Sequence, residues 1–264
     1  MRHDRIQKSI NAYLCRNVSH IYARLDIIQS ISGLILAAFI IIHLLLEASI
    51  IISKDAMLMV SKFFEGYYFF GEKYPGIISF LAAAIFFILI IHALIALRKF
   101  PSNYRQYHIL KQHMKQFHHS DTHLWFYQAV TGFMMFFLAS VHLYIMMTQP
   151  ANIGPYASAD RIYTDWLWPL YLLLLISVVT HAGIGLYRLA LKWGIFERNV
   201  HGNQKYVAKK SKINRQIFKK IMLIGISLYL IIGFTSLVSY LKVGYEHRDK
   251  AGERYESIKK EVQL

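Results

Sequence analysis

The sequence predicts an all-α integral membrane protein with five transmembrane helices, and three observations carry that prediction. Of 264 residues, 55% are hydrophobic and 15% aromatic, while only 17% are charged, a composition poorly matched to water as the main solvent. Five apolar stretches are long enough to cross about 30 Å of hydrocarbon at roughly 1.5 Å per residue. Basic residues gather in the segments between them, as orientation in a membrane requires.

Taken in order, the expected spans are Ile27 to Ile52, Ile77 to Leu97, Leu124 to Met147, Trp166 to Leu191 and Ile221 to Leu241, within a single membrane domain covering residues 1–264. The first follows about two dozen polar and basic residues and has no small-residue cleavage site after it, so it is expected to remain in the mature protein. Arg2, Arg5, Lys8, Arg16 and Arg24 fall on one side of the membrane, with Arg98, Lys99, Arg105, Lys111, Lys115 and the run from Lys192 to Lys220. The other side receives Lys54, Lys62, Lys73 and Arg161, each near acids, and a tail in which Glu246, Asp249, Glu253, Glu256 and Glu261 nearly balance the bases. The bias places the N-terminus on the cytoplasmic side of the membrane and the C-terminus outside. It also accounts for the net charge of +15 better than nucleic-acid binding does.

The single cysteine, Cys15, excludes an internal disulfide and a Cys-ligated iron-sulfur cluster within the chain. There is no Gly-rich dinucleotide fingerprint. Any flavin or cluster in the same redox system belongs to another subunit.

Of thirteen histidines, nine lie in polar segments, among them His108, His113, His118, His119 and His123 between the second and third spans; these read as solvated. The other four, His43, His92, His142 and His181, fall one on each of the first four spans, where ionisable groups are costly and usually functional. Odd spans run outward and even spans inward, so His43 and His142 share the outer depth and His92 and His181 the inner one. A weak repeat supports the outer pair: Gln29 and Gly33 precede His43 with the spacing by which Gln128 and Gly132 precede His142. Gly33, Gly132, Gly183 and Gly185 either let helices pack closely or leave room for a flat macrocycle. Any one of these histidines could simply hydrogen-bond across the bundle. Two level pairs fit two haems better, each iron six-coordinate between neutral imidazoles and suited to electron transfer.

The chain resembles the diheme cytochrome b subunit of quinol:fumarate reductases of the epsilonproteobacterial type. The resemblance covers nearly the whole chain and is carried by the runs from Leu25 to Ser30, Arg98 to Tyr107, Asp121 to Pro155, Trp166 to Tyr171 and His181 to Ala190. It implies a four-helix diheme bundle within the five helices and two haem b. His43 and His142 would ligate the distal iron, and His92 and His181 the proximal iron nearer the cytoplasm. Gln29, Ser30, Trp125 and Lys192 would hold the proximal propionates, with Arg161 on the distal side. Trp125 read alone is equally an interfacial anchor, Lys192 a positive-inside charge and Arg161 a solvated loop charge.

Quinol oxidation releases two protons with two electrons and needs acceptors near the hydroxyls. Glu65 matches the family's outer quinol-site acid; its bland reading is a solvated loop acid. Glu47, one turn beyond His43, lies where a carboxylate must pair, protonate or meet water. The family places a glutamate, proposed for a compensating proton path, two residues before the fourth ligand; here that residue is Val179. Valine carries no proton, and Thr180 can only hydrogen-bond. Either Glu47 opens another route or electron transfer is electrogenic.

The expected function is to anchor a cytoplasmic iron-sulfur subunit and flavoprotein subunit to the lipid bilayer and oxidise menaquinol for fumarate reduction. The alternatives are a succinate:quinone or methylmenaquinol-linked relative, the cytochrome b of a hydrogenase or formate dehydrogenase, and a haem-free anchor or transporter. Direction, quinone type and whether complexes dimerise are left open.

Overall fold

A computed structural model describes residues 2–101, 103–116, 120–196 and 203–256. His118, His119 and Glu261, and the side chains of His113 and of the basic residues before His20, lie outside the described part. The described residues form α-helices and a terminal 3-10 turn: α1 (Arg2–Glu47), α2 (Ser49–Ile52), α3 (Lys54–Phe64), α4 (Tyr67–Phe70), α5 (Gly76–Leu97), α6 (Tyr104–Gln116), α7 (Ser120–Thr148), α8 (Pro155–Tyr163), α9 (Trp168–Lys192) and α10 (Gln204–His247). Five stretches are long and apolar enough to cross a membrane, on α1, α5, α7, α9 and α10.

The helix boundaries differ from the sequence expectation for physical reasons. The first helix runs from Arg2 to Glu47 and the apolar span continues through α2 to its expected end at Ile52: Ala48 is a turn, and extended Ser53 (φ −170°) opens α3 by accepting the Ala56 N–H on its hydroxyl at 3.0 Å. The fifth helix runs from Gln204 to His247, well beyond Ile221 to Leu241, because its Lys, Arg and Gln flanks favour helix once outside the apolar layer. The fourth starts at Trp168 rather than Trp166, whose backbone is left-handed (φ 57°). It ends at a Schellman turn: Gly194 (φ 63°) donates to the Leu191 carbonyl and Ile195 to the Ala190 carbonyl at 3.2 Å each.

The helices α1, α5, α7 and α9 pack each on the next, and α9 returns to α1 to close a four-helix ring, with α10 laid against α9. Large apolar side chains point away from the ring, as Phe80 (77% exposed) and Ile224 (60%) do, the pattern of a protein whose outer solvent is lipid. At one end, Arg98 and Lys99 after α5 and Lys192 at the end of α9 converge on Asp26 of α1; this is the basic end. At the other, α3 and α8 roof the ring, packing through Met57, Ala159 and Ile162 against Leu237 and Tyr240 of α10; this is the capped end.

Candidate functional site

Each intramembrane histidine faces another across the ring. His92 on α5 and His181 on α9 have ring centroids 6.5 Å apart at an interplanar angle of 85°. His43 on α1 and His142 on α7 are 6.3 Å apart at 47°. Two cavities hold the pairs, about 620 Å³ around His92 and His181 and about 280 Å³ around His43 and His142. Leu36, Ile40, Leu89, Met135 and Val178 line both and separate them.

The repeat in the first and third spans has its structural meaning at the basic end. A Cβ at Gly33 would lie 2.9 Å from His92 Cε1, and one at Gly132 would lie 2.7 Å from His181 Cε1. Each glycine is therefore the seat of an imidazole from a neighbouring helix. Gly183, by contrast, meets Ile226 of α10, a helix-packing role, and Gly185 lines the cavity beside Gln128. The rings are also oriented by the repeat's polar groups. His181 Nδ1–H donates to the Gln128 carbonyl at 2.9 Å. His92 Nδ1 lies 3.0 Å from the Ser32 hydroxyl. Both Nε2 atoms are left for another partner, the arrangement of a metal-ligating imidazole.

Gln29, Ser30, Trp125 and Lys192 all line this cavity. Lys192 Nζ donates to the Ser30 hydroxyl and to the Asp26 carbonyl at 2.9 Å each. Gln29 Oε1 is buried without a protein partner, and Trp125 packs on Phe100. Four cations, Arg98, Lys99, Arg188 and Lys192, surround or approach the mouth, against Asp26. The surplus of positive charge suits an anionic ligand.

The capped-end cavity is lined by Glu47, Arg161, Tyr171 and Tyr240 as well as its histidines. Tyr240 donates to Glu47 Oε2 at 3.0 Å, and the Ser236 hydroxyl donates to the Glu47 carbonyl at 3.3 Å. Tyr171 Oη lies 3.3 Å from His142 Nδ1, and Phe39 stacks on His43 at 5.3 Å. Arg161 is 6% exposed, not a solvated loop charge; its guanidinium donates to the Asn152 carbonyl, and it lines the cavity with Tyr171. Glu65 caps the C-terminal end of α3 and is 2% exposed, paired with Lys73 at 2.8 Å. Its helix neighbours Ser61 and Phe64 line the cavity, while its own side chain is not among the lining groups. Val179 is buried with Leu175 and Val178 in the apolar core, and Ser177 beside it is 1% exposed.

The sequence reading missed Tyr171 and Tyr240, whose partners lie 29 and 193 residues away. It also missed the buried His247–Asp160 pair at 3.0 Å and Asp26 as a hub. For Gln128 the repeat was the available signal.

These features define a class: a multi-pass membrane bundle with histidine pairs stacked along its axis. Residues 103–214 match the model of the succinate dehydrogenase/fumarate reductase transmembrane subunit family. The chain is 47% identical over 232 residues to the fumarate reductase cytochrome b subunit of Helicobacter pylori strain J99, covering 88% of this chain and 85% of the relative. It is 44% identical over 234 residues to the protein of the same name from Wolinella succinogenes, covering 89% and 88%. The chain belongs to the family of fumarate reductase cytochrome b subunits. It is a multi-pass protein of the bacterial inner membrane.

Proposed function

We propose that this chain is the diheme membrane subunit of a quinol:fumarate reductase, with its basic end at the cytoplasm and its capped end at the periplasm. The carrying observation is the separation of the two histidine pairs, 6.5 and 6.3 Å between ring centroids. Metal–nitrogen bonds of about 2 Å on opposite sides of one metal, each with a ring centre about 1.2 Å behind its nitrogen, call for roughly 6.4 Å. Among the described residues no group of three or more His, Cys, Asp or Glu could hold a bare metal ion. A haem, whose macrocycle would supply the remaining nitrogens, would ask of the chain only the pair of imidazoles that each cavity offers. The glycine seats at Gly33 and Gly132 and the orphaned Gln29 Oε1 fit the same group.

When bound, the two haem b supply one-electron couples at two depths, linking quinol oxidation at one face to an electron acceptor at the other. The chain's own residues do the rest. His43 and His142 would hold one haem and His92 and His181 the other, and the Gln128 carbonyl fixes the tautomer of His181. Gln29, Ser30, Trp125 and Lys192 offer polar contacts to the propionates at that end, and Arg161 does so at the other. Glu65 and Glu47 accept the two quinol protons, Glu47 from within the cavity and Glu65 from beside it. With Val179 in an apolar core, Glu47 is the acid available for a proton route. Overall, menaquinol and fumarate become menaquinone and succinate, two electrons and two protons being exchanged, with fumarate reduced on an iron-sulfur and flavoprotein pair docked at the basic end. The domain is the whole chain, residues 1–264.

The test is a reduced-minus-oxidised spectrum with pyridine-haemochrome quantitation on the purified complex. Two b haems per chain are expected, one lost in His43→Ala and the other in His92→Ala. A complex without haem overturns the reading.

A further inference from the structure

The capped end carries a buried ionisable pair that the electron-transfer reading leaves unused. Asp160 and Arg161 are consecutive on α8, roughly 100° apart around the helix, and face different ways. Arg161 turns into the cavity of His43 and His142. Asp160, 9% exposed, turns to α10 and the segment beyond it. There His247 Nδ1 lies 3.0 Å from Asp160 Oδ1, and the Gly252 N–H donates to Oδ2 at 2.9 Å. The carboxylate can only accept, so the imidazole hydrogen sits on Nδ1. His247 is 6% exposed, Tyr156 stacks on it at 3.9 Å and 15°, and its Nε2 is buried without a protein partner. A buried imidazole with one nitrogen unsatisfied persists only where the other nitrogen and the stacking hold it.

The position of α8 depends on such fastening. It has nine residues, begins at Gly154 (φ 124°) without a side-chain cap, and is too short to hold a helix alone. It lies very close to α10: a Cβ at Gly244 would come 2.7 Å from the Ala159 carbonyl oxygen. Beyond α10 the chain turns through Arg248–Lys250 and returns over α8 and α3. Tyr255 donates to Asp55 Oδ1 at 3.0 Å and packs edge-on against Tyr156 at 5.1 Å, with Lys54 over both rings.

We infer that Asp160, His247 and Gly252 form a clamp, fastened by the returning segment 248–256, that positions Arg161 over the capped-end cavity. The assignment of a haem to that cavity is the reading on which this rests. The three act as positioning residues: none lines the cavity, and their effect reaches it through the placement of α8.

The intact complex tests this with His247→Ala, Gly252→Pro and His247→Asn. Gly252→Pro removes the N–H and cannot adopt the positive φ of 94°, yet leaves α8 and α10 untouched. The readouts are an optical redox titration of both haems and trypsin cleavage at Arg248, Lys250 and Arg254. His247→Ala and Gly252→Pro are expected to shift the midpoint of the haem that His43→Ala removes and leave the other unmoved. Cleavage should rise roughly tenfold or more as the segment opens. His247→Asn, which keeps a donor near the place of Nδ1, should stay close to the parent. Unchanged midpoints in both disruptive variants, or equal shifts of both haems, overturn the clamp. Should His247→Ala fail to assemble, Gly252→Pro decides. A parent complex without haem defeats the functional reading instead, and the cleavage measurement still reports whether the fastening exists.

Discussion

The two histidine pairs have nearly the same spacing and opposite surroundings. At the basic end the imidazoles rest on glycines and are oriented by groups of the helices themselves, the Gln128 carbonyl at 2.9 Å and the Ser32 hydroxyl at 3.0 Å. At the capped end the neighbours are phenols from α9 and α10, a guanidinium from α8 and the Glu47 carboxylate at the end of α1. The Gln128 carbonyl only accepts, so it fixes the tautomer of His181, whereas the Tyr171 phenol beside His142 can donate or accept and leaves either tautomer open. The difference matches the proposed division of labour, in which one end holds a cofactor rigidly and the other also handles protons.

The comparison breaks most sharply at Glu47. Glu47→Gln keeps a partner for Tyr240 and removes the acid. Quinol oxidation should fall about a hundredfold, the lower range for a lost general base, with the spectrum of the basic-end haem unchanged. Proton release and membrane potential in vesicles check the route, and unaltered electroneutral turnover in this variant would sink it. Next comes Gly132→Ala, which drives a Cβ toward the His181 ring and should cost about 1–3 kcal/mol, seen as earlier thermal loss of the basic-end haem alone. Gly225→Ala, with open space at that position, is the matched control and should stay within about 0.5 kcal/mol. Tyr171→Phe removes the phenol beside His142 and should move only the capped-end haem, by an equivalent of about 0.5–1.5 kcal/mol in midpoint potential.

The smallest effect concerns Tyr255. Desolvation, with the hydrogen bond to Asp55 added, pushes its phenol up from 10.0 to about 12. A raised value means that the contribution of this contact is fully present below pH 10 and lost as the pH climbs toward 12. A tyrosinate difference titration of the parent against Tyr255→Phe should show one phenol ionising late, and its absence would detach the tail from Asp55.

Much of this was legible in the sequence, and the limits are physical. Intramembrane histidines stand out because hydrocarbon makes every ionisable group conspicuous, and helix direction alone set their depths. Gln29, Ser30 and Lys192 follow from the family resemblance; hydropathy by itself puts them only near an inner helix end. The repeat, however, was tied to His43 and His142, whereas its glycines seat His92 and His181; a glycine's partner lies on another helix and leaves no mark in its own periodicity. Tyr171 and Tyr240 were hidden as ordinary aromatics on apolar spans. Asp160 and His247 meet across 87 residues from a roof helix and the last residue of α10, a pairing that no local pattern encodes. For Arg161 the sequence leaves a distal-side contact and a solvated loop charge equally open, because a segment that reads as a loop is in space a buried short helix.

The wall between the cavities has a consequence for inheritance. Leu36, Ile40, Leu89, Met135 and Val178 each border both cavities, so a mutation at any of them is judged twice, once for each of the haems proposed above. Such positions should drift slowly and in compensated sets, whereas the polar rims of the two cavities can diverge independently. A lineage could then retune one end for a new quinone while the other stays as its ancestors left it.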